Sequence, residues 1–259
     1  MSFEKLNHKL IRVTSSDRIP DDLSNNGSFT VELKENSLTQ GVRSVVIKEV
    51  QCPNTFYNIR SSNGFVNNVL TMQENGQPDI NVVVPEGQYS LSTFITALDI
   101  AINALLVGGT VATTQDPLTL KLIFTFTGTT AIIYDFDDGN VMASVLGITA
   151  TTPSAQAVIN ADSLPNLSGI SMIYFHSQEI SQGNLIDGDS GIISVMESLS
   201  FHDVPFGATG YRQNDDDLMS SIDYPSVRNL SRINIRVRDQ YGNRLIPAGD
   251  VIITFKFFY

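Results

Sequence analysis

The sequence contains one cysteine, Cys52, no tryptophan and three histidines in 259 residues. A single thiol excludes an internal disulfide framework and every cysteine-based zinc module. Cys52 lies in an apolar run just before Pro53, the setting of a buried, unreactive thiol. His8, His176 and His202 form no His-x-His, His-x3-His or His-Glu-x-x-His pair, so a zinc protease or cupin-like site lacks its ligands. His176 and His202 sit at strand ends, where a hydrogen-bonded or solvated role competes with a shared metal site. Long apolar runs are also missing: no stretch approaches the ~18 residues of a membrane-spanning helix. Met1–His8 has no apolar leader segment. The expectation is a soluble chain made in a reducing compartment, with the Asn-x-Ser sites at Asn26, Asn166 and Asn229 as chance matches.

Positive charge is scarce in the middle of the chain. Residues 61–211 hold Lys121 as their one cation against 14 acids, whereas 1–60 hold 8 Lys/Arg and 7 Asp/Glu, and 212–259 hold 7 and 6. The net charge of −11 therefore resides in the middle. Phosphate binding needs clustered Lys/Arg, so this distribution disfavours a continuous nucleic-acid groove. The acidic stretch reads as a solvated face, with a calcium-binding or receptor-facing surface as the alternative. Nucleophile and nucleotide motifs are missing too. There is no Gly-x-Ser-x-Gly elbow, no Gly-x4-Gly-Lys-Ser/Thr loop and no Gly-x-Gly-x-x-Gly fingerprint. The acidic clusters Asp135–Asp138, Asp187/Asp189 and Asp215–Asp217 lack the twelve-residue calcium frame with its closing Glu. They read as solvated turns. No cofactor and no catalytic set is expected, so the chain does not read as an enzyme.

What is present is β patterning. At 42% hydrophobic and 17% charged residues with a mean hydropathy of +0.02, the composition is that of a globular chain. Residues 1–27 mix charge with turn formers and read as an N-terminal arm, either disordered or strapped onto a neighbouring subunit. Period-2 alternation then marks Phe29–Leu33 and 43–52. Phe65–Met72 and Asp79–Val84 flank an Asn-Gly turn. A helix follows Ser90, with Leu91, Phe94, Ile95, Leu98, Ala101, Ile102 and Leu105 on one face and Gly108-Gly109 at its end. A hairpin is expected from Leu118–Phe126 to Ala131–Phe136 about Gly128, then a short helix at Val141–Leu146 capped by Gly147. Residues 85–150 thus read as a helix-plus-hairpin insert. Strands resume at Ile170–Ser177, Ile192–Phe201, Gly207–Gln213, Arg232–Arg238 and Val251–Phe258. Nine strands with long connections outside the insert predict an all-β single jelly-roll sandwich over 28–259.

The segment from Ile222 to Arg244, including Arg232-Ile233-Asn234-Ile235-Arg236-Val237-Arg238 and Asp239-Gln240-Tyr241-Gly242, resembles the closing strand pair of viral single jelly-roll capsid proteins. Pro85-Glu86-Gly87-Gln88-Tyr89-Ser90-Leu91 with its helix, and Val145-Leu146-Gly147-Ile148, resemble an insert of the same group. The nearest family by these motifs is the penton, or minor capsid, protein of virophages and related polinton-like viruses, over residues 28–259. The resemblance implies a structural virion protein, assembled inside the host cell. It would form homopentamers at the icosahedral five-fold vertices beside a separate major capsid protein. The family has no active-site residues to carry over. On this reading Lys5, Lys9 and Arg12 of the arm contact neighbours. Arg232, Arg236 and Arg238 face a neighbouring subunit or the major capsid protein, a solvated sheet face being the alternative. A receptor- or glycan-binding jelly-roll head is the competing function.

Overall fold

The structure is a computed structural model that describes residues 7–19, 25–33, 41–61, 65–135, 140–152, 154–180, 185–187, 191–193, 195–215 and 221–259. In chain order, β1 (His8–Thr14), β2 (Ser28–Glu32) and β3 (Val42–Pro53) come first. Next come β4 (Val69–Glu74), β5 (Asp79–Val83), helix α1 (Leu91–Asn103), β6 (Thr110–Gln115), β7 (Leu122–Thr127), β8 (Ala131–Ile133), helix α2 (Val141–Leu146) and β9 (Val158–Asn160). The chain closes with β10 (Met172–His176), β11 (Leu185–Asp187), β12 (Gly191–Ile193), β13 (Val195–Ser200), β14 (Thr209–Gln213), β15 (Ser221–Arg228), β16 (Arg232–Asp239) and β17 (Ile252–Phe258). Two compact units result: residues 1–56 with 170–259, and residues 57–169. The second is wider at both ends than the 85–150 insert the periodicity suggested. Neither helix is long and apolar enough to cross a membrane.

The first unit is a two-sheet sandwich. One sheet runs β1-β17-β3, with β14 and β15 pairing successive parts of β3; the other runs β13-β10-β16-β2. Every pairing is antiparallel. With β14 and β15 counted as one strand, the orders are first-eighth-third-sixth and second-seventh-fourth-fifth. That interleaving of two Greek keys defines a jelly roll. Alternation explains why the sheets face each other. Phe29 and Val31, Val45 and Ile47, Ile173 and Phe175, Ile233, Ile235 and Val237, and Ile253, Phe255 and Phe257 all enter one buried cluster. A phenylalanine fully removed from water contributes roughly 2–3 kcal/mol. Phe29, Phe175, Phe255 and Phe257 are all 0% exposed.

Two expectations for this unit change. Residues 8–14, read as arm, form the edge strand β1, in register with β17 from His8↔Phe258 to Thr14↔Ile252. Mixed composition hid it, because an edge strand keeps one rim of backbone and half its side chains in water. Residues 221–228 form β15 although Pro225 interrupts them. Proline is tolerated there because Asp223 and Arg228 bracket a break in the register against β3.

The 57–169 unit has its own core, with Phe94, Leu98 and Ile102 of α1 against Leu70, Met72, Val82, Leu122, Phe124 and Ile133. Ser90 caps α1 in a reciprocal box with Thr93, and Gly147 closes α2 at φ 78°. Both caps match the expectation. The hairpin does not. β7 pairs with β6 and β9, while β8 pairs with β4. The actual turn is Asp116–Lys121, where Asp116 Oδ1 accepts from Leu118 N (2.8 Å) and Thr119 N (2.7 Å). That local bond pulls Leu118 and Leu120 off the strand and into solvent, at 91% and 50% exposure.

Candidate functional site

Among the described residues, the outer face of β16 gathers positive charge that makes no ion pair. Core residues Ile233, Ile235 and Val237 alternate with Arg232, Asn234, Arg236 and Arg238, so the pleat sends the arginines to the opposite side. β10 lies alongside, with Tyr174 opposite Arg238 and His176 opposite Arg236. β2 lies on the other flank, with Glu32 opposite Arg232 and Thr30 opposite Asn234. Arg244, after the β16 turn, bridges to Arg238 and is exposed.

Polar contacts around the row are few. Arg236 Nε donates to Asn234 Oδ1 at 3.2 Å, and Arg238 donates to the Gly242 carbonyl. Glu179 Oε2 accepts from Asn234 N at 3.2 Å. None of the four arginines makes an ion pair among the described residues; the Arg212–Glu197 bridge at 3.1 Å is elsewhere on the sandwich. His176, 9% exposed, shows the strength of this field. Burial first, and then the guanidiniums of Arg238 and Arg236, pull its imidazole down to about 4.

The sequence expectations separate here. Arg232, Arg236 and Arg238 do come together on one face. Arg244 and His176 join them, and only the tertiary register reveals that. Lys9 and Arg12 do not share a patch: on β1, Lys9 has the core-facing parity of Ile11 and Val13, and Arg12 points outward with His8 and Leu10. Lys5 lies outside the described residues, as do 136–139, 188–190 and 216–217 of the acidic clusters. His176 and His202 are at opposite ends of the β10–β13 pair, since His176 faces Val195 while Met172 faces Ser200. No group of three potential metal-ligating side chains occurs among the described residues. Cys52 is fully buried, and burial pushes its thiol far above the ordinary range.

The carboxylates of the acidic unit hold its loops. Glu74 accepts from Val107 N and Gly108 N, both at 2.8 Å. Asp99 accepts from Thr113 N, Asp135 from Thr151 N, Asp162 from Thr149 N and Ala150 N, and Glu86 from Ser61 N. An open groove of about 580 Å³ is lined by Glu74, Gln77, Phe126 and Thr129, but its carboxylate is already engaged by those amides. Hydrogen bonds from Val107, Thr129 and Gly108 hold Glu74 below its ordinary 4.5 against the opposing effect of burial. A carboxyl depressed in the fold stabilises above its unfolded value, and that contribution disappears as pH falls through the folded value. Glu74→Gln is therefore expected to destabilise by about 2 kcal/mol at neutral pH. It should also flatten the loss of stability on acidification below 4.5, read from thermal melts across that range.

The β16–β17 turn completes the geometry. Asp239, 1% exposed, accepts from Tyr241 N (2.9 Å) and Asn243 N (2.8 Å), and Gly242 takes φ 84°. No protein-family model matches the sequence, and no curated protein does. Among solved structures, the mavirus penton protein aligns over 97% of this chain and 99% of its own, with a TM-score of 0.52 at 11% identity. This chain has the mavirus penton fold. A chain of the Sputnik virophage structure aligns over 97% of each chain, with a TM-score of 0.42 at 15% identity. In this chain, the 57–169 unit occupies the connection between β3 and β10, the third and fourth strands of the roll.

Proposed function

We propose that this protein is a structural component of a viral capsid, a penton whose ring of five closes an icosahedral five-fold vertex beside a separate major capsid protein. The observation that carries the reading is the fold likeness to the mavirus penton protein along nearly the whole of both chains. That extent includes the unit between β3 and β10 as well as the sandwich. The chemistry is consistent with a building block. The buried carboxylates Glu74 and Asp239 are occupied by backbone amides, and the cysteine is sealed in the core. A closed ring places two different patches of each subunit in contact. Arg12 on the β1 edge, with Arg232, Arg236 and Arg238 on the opposite sheet, are the residues we assign to subunit or major-capsid contacts.

The test is the mass of the assembled protein by light scattering, together with imaging of virus particles that contain it. A species of about five times 28.4 kDa, located at the vertices, is the expected result. A trimer projecting from the particle would replace this reading with that of a receptor- or glycan-binding head.

A further inference from the structure

We propose that the arginine face of the β13-β10-β16-β2 sheet docks onto the acidic 57–169 unit of a second copy of this chain. The inference rests on the penton reading and names the partner surface of that contact. Arg236, Arg238 and Arg244 sit on neighbouring positions of one face with no ion pair among the described residues. Like charges placed side by side on a sheet repel, and here they also disfavour protonation of His176 between them. No described carboxylate of the sandwich forms an ion pair with these arginines, although the whole chain carries −11. Glu32 and Glu179 lie at its Arg232–Asn234 end, and Asp239 beside Arg238 is engaged by the turn amides of Tyr241 and Asn243.

The complementary charge is in the same chain. Residues 57–169 hold nine acids against Arg60 and Lys121. Asp79, Asp116 and Asp162 make no ion pair with any described cation. Each accepts hydrogen bonds that fix its position, Asp79 from Gln73 and Tyr134, Asp116 from the turn amides, and Asp162 from Thr149 and Ala150. Fixed carboxylates opposite guanidiniums suit the bidentate geometry that arginine offers and lysine does not. A polyphosphate is the weaker fit, because the acidic unit would repel the rest of any long strand. Head-to-tail docking of a positive face onto an acidic unit is also the kind of contact from which rings are built.

Sedimentation equilibrium on the full chain tests this with four samples: wild type, Arg236→Glu/Arg238→Glu/Arg244→Glu, Asp79→Asn/Asp116→Asn/Asp162→Asn, and an equal mixture of the two variants. Thermal melts verify that each is folded; the arginine changes lie on a solvated face and leave the core intact. Wild type is expected to assemble, with an association constant at least about tenfold weaker when the salt is raised from low to high. Each variant alone is expected to lose about a hundredfold or more in association. The mixture should give heterodimers that stop there, since each pair retains one intact interface. Wild type that stays monomeric overturns the inference. So does a variant pair that assembles as wild type does, or arginine variants that fail while the aspartate variants assemble. Loss of binding to a short DNA duplex in the arginine variant, with assembly unchanged, would assign the face to nucleic acid instead. Pentamers indifferent to both sets of changes sink this docking and leave the penton reading standing, whereas wild-type trimers sink the penton reading.

Discussion

The Gly27→Ala protein is expected to lose on the order of 4 kcal/mol of stability and to melt roughly 10 °C lower. A Cβ on Gly27 would lie 1.6 Å from the Leu245 carbonyl oxygen and 2.7 Å from its carbon. Both are backbone atoms, so no side chain can swing away. The surrounding hydrogen bonds prevent the backbone from yielding. Gly27 O accepts from Val237 N at 2.8 Å, and Asn26 Nδ2 donates to Gly249 O at 3.0 Å and Pro247 O at 3.3 Å. Making room for one methyl group means separating the bend before β2 from the segment between β16 and β17. Gly76→Ala is the control, since nothing lies within 4 Å of its Cβ position. Its positive φ of 79° limits the cost to about 1–2 kcal/mol. Melting temperatures within a degree or two for Gly27→Ala and wild type would refute the close approach.

The second large effect is a pH dependence centred on His176. Its imidazole has an ordinary value of 6.5 and titrates near 4 in the fold. Between those values the unfolded chain binds a proton that the folded chain refuses, so stability must rise with pH across that window. Stability is fully present above 6.5 and falls as pH drops toward 4, by about 2–3 kcal/mol in all. Carboxylates such as Glu74 begin to contribute only at the acid end, so the neutral side of the window belongs to the histidine. His176→Gln should remove this slope while leaving the sandwich folded. Denaturant melts at a series of pH values, for both proteins, give the comparison. Parallel curves for the two would mean that His176 is not held neutral by its surroundings. High salt should weaken only the part due to Arg238 and Arg236, because burial is not screened.

How much was legible can be followed residue by residue. The alternation in Arg232–Arg238 and in Val251–Phe258 named the core-facing side of β16 and β17 correctly, because period-2 burial is a local property of a strand between core and water. The 3.6-residue spacing from Leu91 to Leu105, with its Ser90 cap, located α1 for the same kind of reason. β1 and β15 were missed. One is an edge strand and the other is interrupted by Pro225, and such strands carry weak alternation. The exchange of partners in the 57–169 unit was missed as well. Gly128 has the turn conformation that suggested a hairpin, yet strand pairing between β7 and β8 lost to pairing with β6, β9 and β4. The arginine row was visible as a pattern. Its fourth member and its histidine were not, because Arg244 and His176 reach the row through ladders that join distant segments.

By itself, then, the sequence determined the parts of this protein that depend on neighbours along the chain: strand faces, helix caps, and the placement of acid and base. The tertiary structure decided which strands interleave into two Greek keys, where one methyl group cannot fit, and which charges share a face. Those outcomes depend on contacts between residues such as Gly27 and Leu245 or His176 and Arg236. Their cost or gain comes from packing and field strength at a meeting point that no local pattern encodes.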